Sequence, residues 1–253
     1  MDLGIKGKIA VVTACSSGLG NAVAHALAAE GAKLVLFARS EDVLRKTAAD
    51  IESRHHVQAL AVAGDMRSEA DVKRMVAAMQ EKFGAPDILV LSTGRPPIPM
   101  REVLDETDAA RWEEAYRVQL WGAVLVTRNI VPLMLPRGWG RVISITSATV
   151  KQPMIKHGLS TVFRAGVTAY MKHLANEVAA RGITVNTVCP ASIATANLTS
   201  SYDMTERAKR IPLRRVGRPE ELAATVTFLA SEQAGFITGA SLHVDGGMVA
   251  SLY

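Results

Sequence analysis

Two short segments combine residue types and spacings suited to holding an anionic ligand. The first, Thr13-Ala14-Cys15-Ser16-Ser17-Gly18-Leu19-Gly20, follows the apolar run Ile9-Ala10-Val11-Val12 and leads into the helical-looking Asn21-Ala22-Val23-Ala24. Strand, glycine turn and helix in that order make the context in which such a loop points to a dinucleotide. The helix N-terminus offers unpaired N–H groups and a partial positive charge to a pyrophosphate. Gly18 and Gly20 let the main chain approach it, and Ser16 and Ser17 add hydroxyl donors. A glycine is expected at position 14, where Ala14 stands. Alanine accepts close packing but resists positive φ, so a slightly reshaped turn is expected.

The second segment, Phe37-Ala38-Arg39-Ser40, ends the next apolar run about 20 residues on, where an acid would bind a ribose 2′-OH and an arginine would accommodate a 2′-phosphate. Arg39 stands there with no acid beside it, so NADP(H) is favoured and NAD(H) stays open. Asp65 could receive an adenine amino group or cap the next helix, a task for which Ser68 is better suited. Arg95-Pro96-Pro97-Ile98-Pro99 begins where a fourth strand ends. Arg95 could meet an anionic substrate group or the cofactor; equally, the prolines could serve only to end strand and helix.

The elements that must position these residues alternate along the chain. Apolar runs at Ile9–Thr13, Leu34–Phe37, Val57–Val62, Ile88–Leu91, Val142–Ile145, Ile183–Val188 and Ser241–Val244 read as seven strands. Between them the spacing turns helical, as in Val72, Met75, Val76, Met79, Phe83 and in Val167, Met171, Leu174, Val178. Gly31 and Gly182 mark helix ends. Strands apolar throughout want cover on both faces, which predicts right-handed crossovers and a parallel sheet. The expectation is one doubly wound Rossmann α/β domain over residues 1–253, with a seven-stranded parallel sheet flanked by helices.

Composition excludes several classes. Of 253 residues, 49% are hydrophobic, 21% charged and 5% aromatic, a globular mixture with few rings for base stacking. The net charge of +5 is dispersed, the one tight basic group being Arg207, Lys209, Arg210, Arg214 and Arg215, so no nucleic-acid partner is expected. Cys15 and Cys189 form neither a disulfide framework nor a metal-ligand spacing. No uninterrupted apolar run reaches the ~18 residues of a membrane span, and the N-terminus lacks a signal-peptide pattern. A cytoplasmic location without membrane association is expected.

The C-terminal third adds Arg181-Gly182-Ile183-Thr184-Val185-Asn186, Cys189-Pro190-Ala191-Ser192-Ile193-Ala194-Thr195, Gly217-Arg218-Pro219-Glu220-Glu221, Phe228-Leu229-Ala230-Ser231, Ile237-Thr238-Gly239 and Val244-Asp245-Gly246-Gly247. With the glycine loop, these resemble the short-chain dehydrogenase/reductase family over nearly the whole chain, and most of all its 3-oxoacyl-acyl-carrier-protein reductase-like members. The resemblance implies cofactor contacts at Thr13, Ser16, Ser17, Gly18, Leu19, Gly20, Arg39, Ser40, Asp65, Met66, Ser92, Thr93, Gly94, Arg164, Pro190, Ala191, Ile193 and Thr195. It also implies a carbonyl or acyl-thioester substrate, a substrate loop over 192–215, and a homotetramer or homodimer through helices around 105–135 and 160–180.

The family's catalytic motif is where this sequence departs. Ser147 matches the family serine that fixes the carbonyl oxygen. The tyrosine that gives a proton is replaced by Ser160, the lysine four residues on by Arg164, and the upstream asparagine by Gln119. Serine is shorter than tyrosine, and an arginine that stays cationic cannot cycle a proton, though its forked donors can hold ribose hydroxyls or a developing alkoxide. Loss of a positioned acid costs ~10²–10⁴ in rate. His157, three residues before Ser160, or a water held by Ser147, Ser160 and Gln119, are the candidate proton sources; His157 reads more readily as an exposed loop residue. Tyr170 reads as packing. Two functions therefore compete: an oxidoreductase with a changed catalytic site, and a dinucleotide-binding protein that has lost turnover and acts as a sensor or partner subunit.

Overall fold

The computed structural model describes residues 2–200 and 203–252, so Ser201 and Tyr202 of the expected substrate loop lie outside the described residues. The strands are β1 (Ile9–Thr13), β2 (Lys33–Ala38), β3 (Ala59–Ala63), β4 (Ile88–Ser92), β5 (Gly140–Ile145), β6 (Ile183–Pro190) and β7 (Ser241–Val244). The helices are α1 (Gly18–Ala29), α2 (Glu41–His55), α3 (Glu69–Lys82), α4 (Ala109–Ala115), α5 (Gly122–Met134), α6 (Gly158–Val178), α7 (Ala196–Thr199), α8 (Met204–Lys209) and α9 (Pro219–Leu229). All seven strands join one parallel sheet in the order β3-β2-β1-β4-β5-β6-β7.

Successive side chains of a strand point to opposite faces, and here both sets are apolar. Ala10, Val12, Leu34, Leu36, Ile88 and Val90 enter a core with Val23, Leu27, Leu222 and Val226 of α1 and α9. Ile9, Val11, Val35, Phe37, Leu89 and Leu91 enter the other core, with Met75, Ile130 and Met171 of α3, α5 and α6. The unbroken apolar runs are thus two interleaved faces, each covered by helices.

Boundaries moved where caps compete. β3 starts at Ala59 rather than the expected Val57, because α2 runs to His55 and His56 ends it in the left-handed region at φ 54°. Ser68 caps α3, its hydroxyl accepting from the Asp71 N–H at 3.3 Å, as its position suggests. Tyr170 packs on the core, its hydroxyl 2.8 Å from Thr127 Oγ1.

The sequence shows no uninterrupted apolar span, yet α4, a π-helical turn over Tyr116–Trp121, and α5 join into one helical run, Ala109–Arg137. By length and composition that run could cross a membrane. Here Leu125, Val126, Ile130, Val131 and Met134 are instead buried in the sheet-covering core.

Candidate active site

The strand order reverses between β1 and β4, so a crevice opens beyond their carboxyl ends. A cavity of about 630 Å³ occupies it. At one end lies the glycine loop. Ala14 turns the chain at φ 49° and its N–H donates to the Phe37 carbonyl at 2.8 Å. The turn is therefore not reshaped as expected: alanine takes the glycine conformation, at a cost of about 1–2 kcal/mol. At Gly20 a Cβ would lie 2.7 Å from the Ala14 oxygen, so only glycine lets α1 start this close to β1. Ser17, the residue preceding α1, is extended and makes no side-chain cap bond. The first N–H groups of α1 thus face the cavity uncapped beside Ser16, Ser17, Gly18 and Leu19, a cradle that fits a pyrophosphate. Burial pushes the thiol of Cys15 beneath the loop up to about 12, so it stays neutral.

Arg39 and Ser40, just after β2, line the cavity, as do Asp65 and Met66. Asp65 is already engaged: Arg67 reaches its carboxylate through Nε at 2.9 and 3.0 Å and through Nη2 at 2.6 Å, while Nη1 of Arg67 reaches Glu114 at 2.8 Å. Burial raises the Asp65 carboxyl pKa, but the Arg67 hydrogen bonds and charge, helped by Arg39, outweigh it and hold the group below the usual range. An adenine amino group would have to share this carboxylate with Arg67.

The other end is built where β4, β5 and α6 converge. Ser147 Oγ accepts from the Thr149 N–H at 3.2 Å and the Thr149 hydroxyl at 3.0 Å, leaving its own O–H to donate. Ser160 is buried on α6 and Arg164 follows one turn later, both lining the cavity. Arg164 Nη1 donates to the Thr146 carbonyl at 2.8 Å and Nη2 to that of Gly94 at 3.4 Å. Burial first, then the charge of Arg95, draw its pKa down to about 10, so it remains cationic at neutral pH. His157 begins α6 at the cavity edge with Nδ1 2.7 Å from the Ile155 carbonyl. That contact assigns the proton to Nδ1 in the neutral ring and turns Nε2 to other partners.

Ser92, Thr93 and Gly94 line the floor, and Pro190, Ala191, Ile193 and Thr195 the wall after β6. Thr195 Oγ1 caps α7, accepting from the Leu198 N–H at 3.3 Å. Two expected residues stand apart. Thr13 is buried with its hydroxyl bonded to both the carbonyl and the N–H of Ser92, at 2.8 and 3.0 Å, tying β1 to β4. Gln119 is fully buried in the π-helical turn, with neither end of its amide partnered among the described residues, while its neighbour Val118 reaches the cavity. The basic group over 207–215 disperses: Lys209 pairs with Glu206 and Arg215 with Glu221, while Arg207 turns inward to donate to Ser192 Oγ at 3.0 Å. Sequence reasoning missed Arg67 and Glu114. Their partnership joins residues 47 positions apart, and no local pattern signals it.

The family model described as enoyl-(acyl carrier protein) reductase matches residues 13–249. The 3-oxoacyl-[acyl-carrier-protein] reductase of Aquifex aeolicus (strain VF5) is 33% identical over 251 residues, 98% of this chain and 100% of that protein. The acetoacetyl-CoA reductase of Allochromatium vinosum is 32% identical over 244 residues, covering 95% of this chain and 98% of that one. Among solved structures, the L-sorbose reductase of Gluconobacter frateurii complexed with NADPH and L-sorbose is 34% identical, superposes with a TM-score of 0.93, and each chain covers 100% of the other. Matched along nearly its whole length by the family model and by these reductases, the chain belongs to the short-chain dehydrogenase/reductase family.

Proposed function

We propose that this protein is an NADP(H)-preferring oxidoreductase that interconverts a carbonyl and an alcohol, with Ser147, Ser160 and Arg164 at the reacting centre. The observation that carries this reading is the single cavity running from the uncapped start of α1 and Arg39 to Ser147, Ser160 and Arg164. The solved relative bound to NADPH supports the choice of cofactor, and the 3-oxoacyl and acetoacetyl-CoA reductases make an acyl-thioester substrate part of the reading. Arg39 is the residue proposed to favour the 2′-phosphate.

When bound, the reduced nicotinamide supplies a hydride to the carbonyl carbon. The Ser147 hydroxyl donates to the carbonyl oxygen, and Arg164 stabilises the negative charge that grows there. A proton must then reach that oxygen, so that carbonyl, NADPH and one proton yield alcohol and NADP⁺. In its imidazolium form His157 is proposed to deliver it from Nε2, leaving the neutral ring with its remaining proton on Nδ1 at the Ile155 carbonyl. Gln119 is proposed as a positioning residue: its unpartnered amide is suited to holding a water behind the site. A homotetramer or homodimer through 105–135 and 160–180 belongs to the same reading; the most apolar stretch within Ala109–Arg137 is half buried within one chain.

The second reading, a dinucleotide-binding protein without turnover, draws on Ser160 and on the main-chain carbonyls that occupy Arg164. Titration with NADPH and NADH followed by fluorescence, then addition of a carbonyl panel, separates the two. Tighter NADPH binding with substrate-dependent oxidation is expected. Binding without oxidation of any carbonyl would move the function to the second reading, and failure to bind either nucleotide would sink both.

A further inference from the structure

Among the described residues, Arg95 and Arg164 line the cavity without a carboxylate partner. Asp65 and Glu114 are the acids among the cavity-lining residues, and both are bonded to Arg67. Arg164, inside the site, has its hydrogen bonds on the carbonyls of Ile145, Thr146 and Gly94 rather than on a carboxylate. Arg95 is the next residue after Gly94, lines the same space, and is exposed, with no ion pair among the described residues. Arg207 enters from α8 beside Ser192. A buried guanidinium without a counter-charge is costly to keep, and carbonyl dipoles offset only part of that. The proline loop bearing Arg95 is itself fixed: Arg111 donates to the Pro99 carbonyl at 2.7 Å while paired with the buried Glu106 at 2.7 Å. Arg95 is therefore presented from a braced loop. Ile98, Met100 and Met154 supply apolar wall around it.

We infer that the substrate is a small organic anion: an oxo acid whose free carboxylate is taken by Arg95, beside Arg164, while its aliphatic body lies on Ile98, Met100 and Met154. The assignment as substrate rests on the oxidoreductase reading and narrows it from carbonyls in general to oxo acids. It also sets the preferred compound apart from an acyl thioester, in which the carboxylate charge has been removed by esterification.

The test is calorimetric titration of the full chain, free and saturated with NADP⁺, with 2-, 3- and 4-oxohexanoate. The methyl esters of these acids and the N-acetylcysteamine thioester of 3-oxohexanoate serve as neutral counterparts, and NADPH oxidation is followed in parallel. At least one acid should bind about tenfold to hundredfold more tightly than its ester, the range of a charge-assisted hydrogen-bonded contact. Arg95→Gln should bring that preference close to one, Arg95→Lys should keep part of it, and added chloride should weaken the acid more than the ester. Thermal unfolding of the variants checks that they are folded. Equal binding of acid and ester, a preference for the thioester, a preference untouched by Arg95→Gln, or no binding in either series would overturn the inference. Acids bound but never reduced would sink the oxidoreductase reading and leave the anion site standing. Esters or thioester reduced while acids are inert would do the reverse.

Discussion

The two ends of the cavity are made of different material. The glycine-loop end is mainly main chain: the uncapped N–H groups of α1, a left-handed Ala14, and Gly20 pressed against the Ala14 carbonyl. The proposed reacting end is made of side chains, Ser147, Ser160, Arg164, Arg95 and His157, carried by the segment after β5, the start of α6 and the loop after β4. Main-chain donors survive most substitutions, because any residue but proline supplies an N–H. Proton donors do not, because reach and acidity belong to one side chain. A chain can therefore keep the cradle and alter the chemistry, and Ser160 and Arg164 lie at the end that is free to change.

The sharpest way to break this contrast is to install the tyrosine and lysine that the family resemblance implies at these two positions. Ser160→Tyr combined with Arg164→Lys should raise NADPH-dependent carbonyl reduction by about 10²–10⁴-fold, the worth of a positioned acid; no change in a steady-state assay would mean that the surroundings were remodelled along with the two residues. His157→Gln should lower kcat of the unmodified site by about 10²-fold with little change in NADPH affinity. An equal fall in both would make His157 structural.

At the opposite end, Gly20→Val should weaken NADPH binding by tenfold or more and cost about 1–3 kcal/mol of stability through overpacking, read by fluorescence titration and denaturant unfolding. Arg39→Ala should reduce the NADPH-over-NADH preference by about tenfold, the loss of one charge-assisted contact, without altering the reacting end. The smallest effect concerns pH. Asp65 has its pKa depressed in the fold, so the stability it contributes is complete above its unfolded value, about 3.9. That contribution is lost as pH falls through the lower folded value. Arg67→Gln should flatten this acid limb in a series of melting temperatures.

The sequence by itself determined the architecture and the position of the glycine loop. Seven apolar runs with helical spacing between them required a sheet covered on both faces, because each run has to bury two sets of side chains. Element ends were less legible: β3 lost Val57 and Gln58 to the termination of α2 at His56, a competition between neighbouring elements. Ser147, Ser160 and Arg164 were named through the family resemblance rather than by any local period, and the fold brings all three to one cavity. Tertiary structure alone decided three matters. It turned the Thr13 hydroxyl to Ser92 across two strands, gave the Asp65 carboxylate to Arg67 and linked that arginine to Glu114, and buried Gln119 in a π-helical turn. Each depends on a partner or packing surface remote in the chain, and side-chain hydrogen bonds between distant residues have no period to read. The same holds for the charge around Arg164: composition gave a dispersed excess, and only folding gathered Arg95, Arg164 and Arg207 around one cavity while pairing its acids with Arg67.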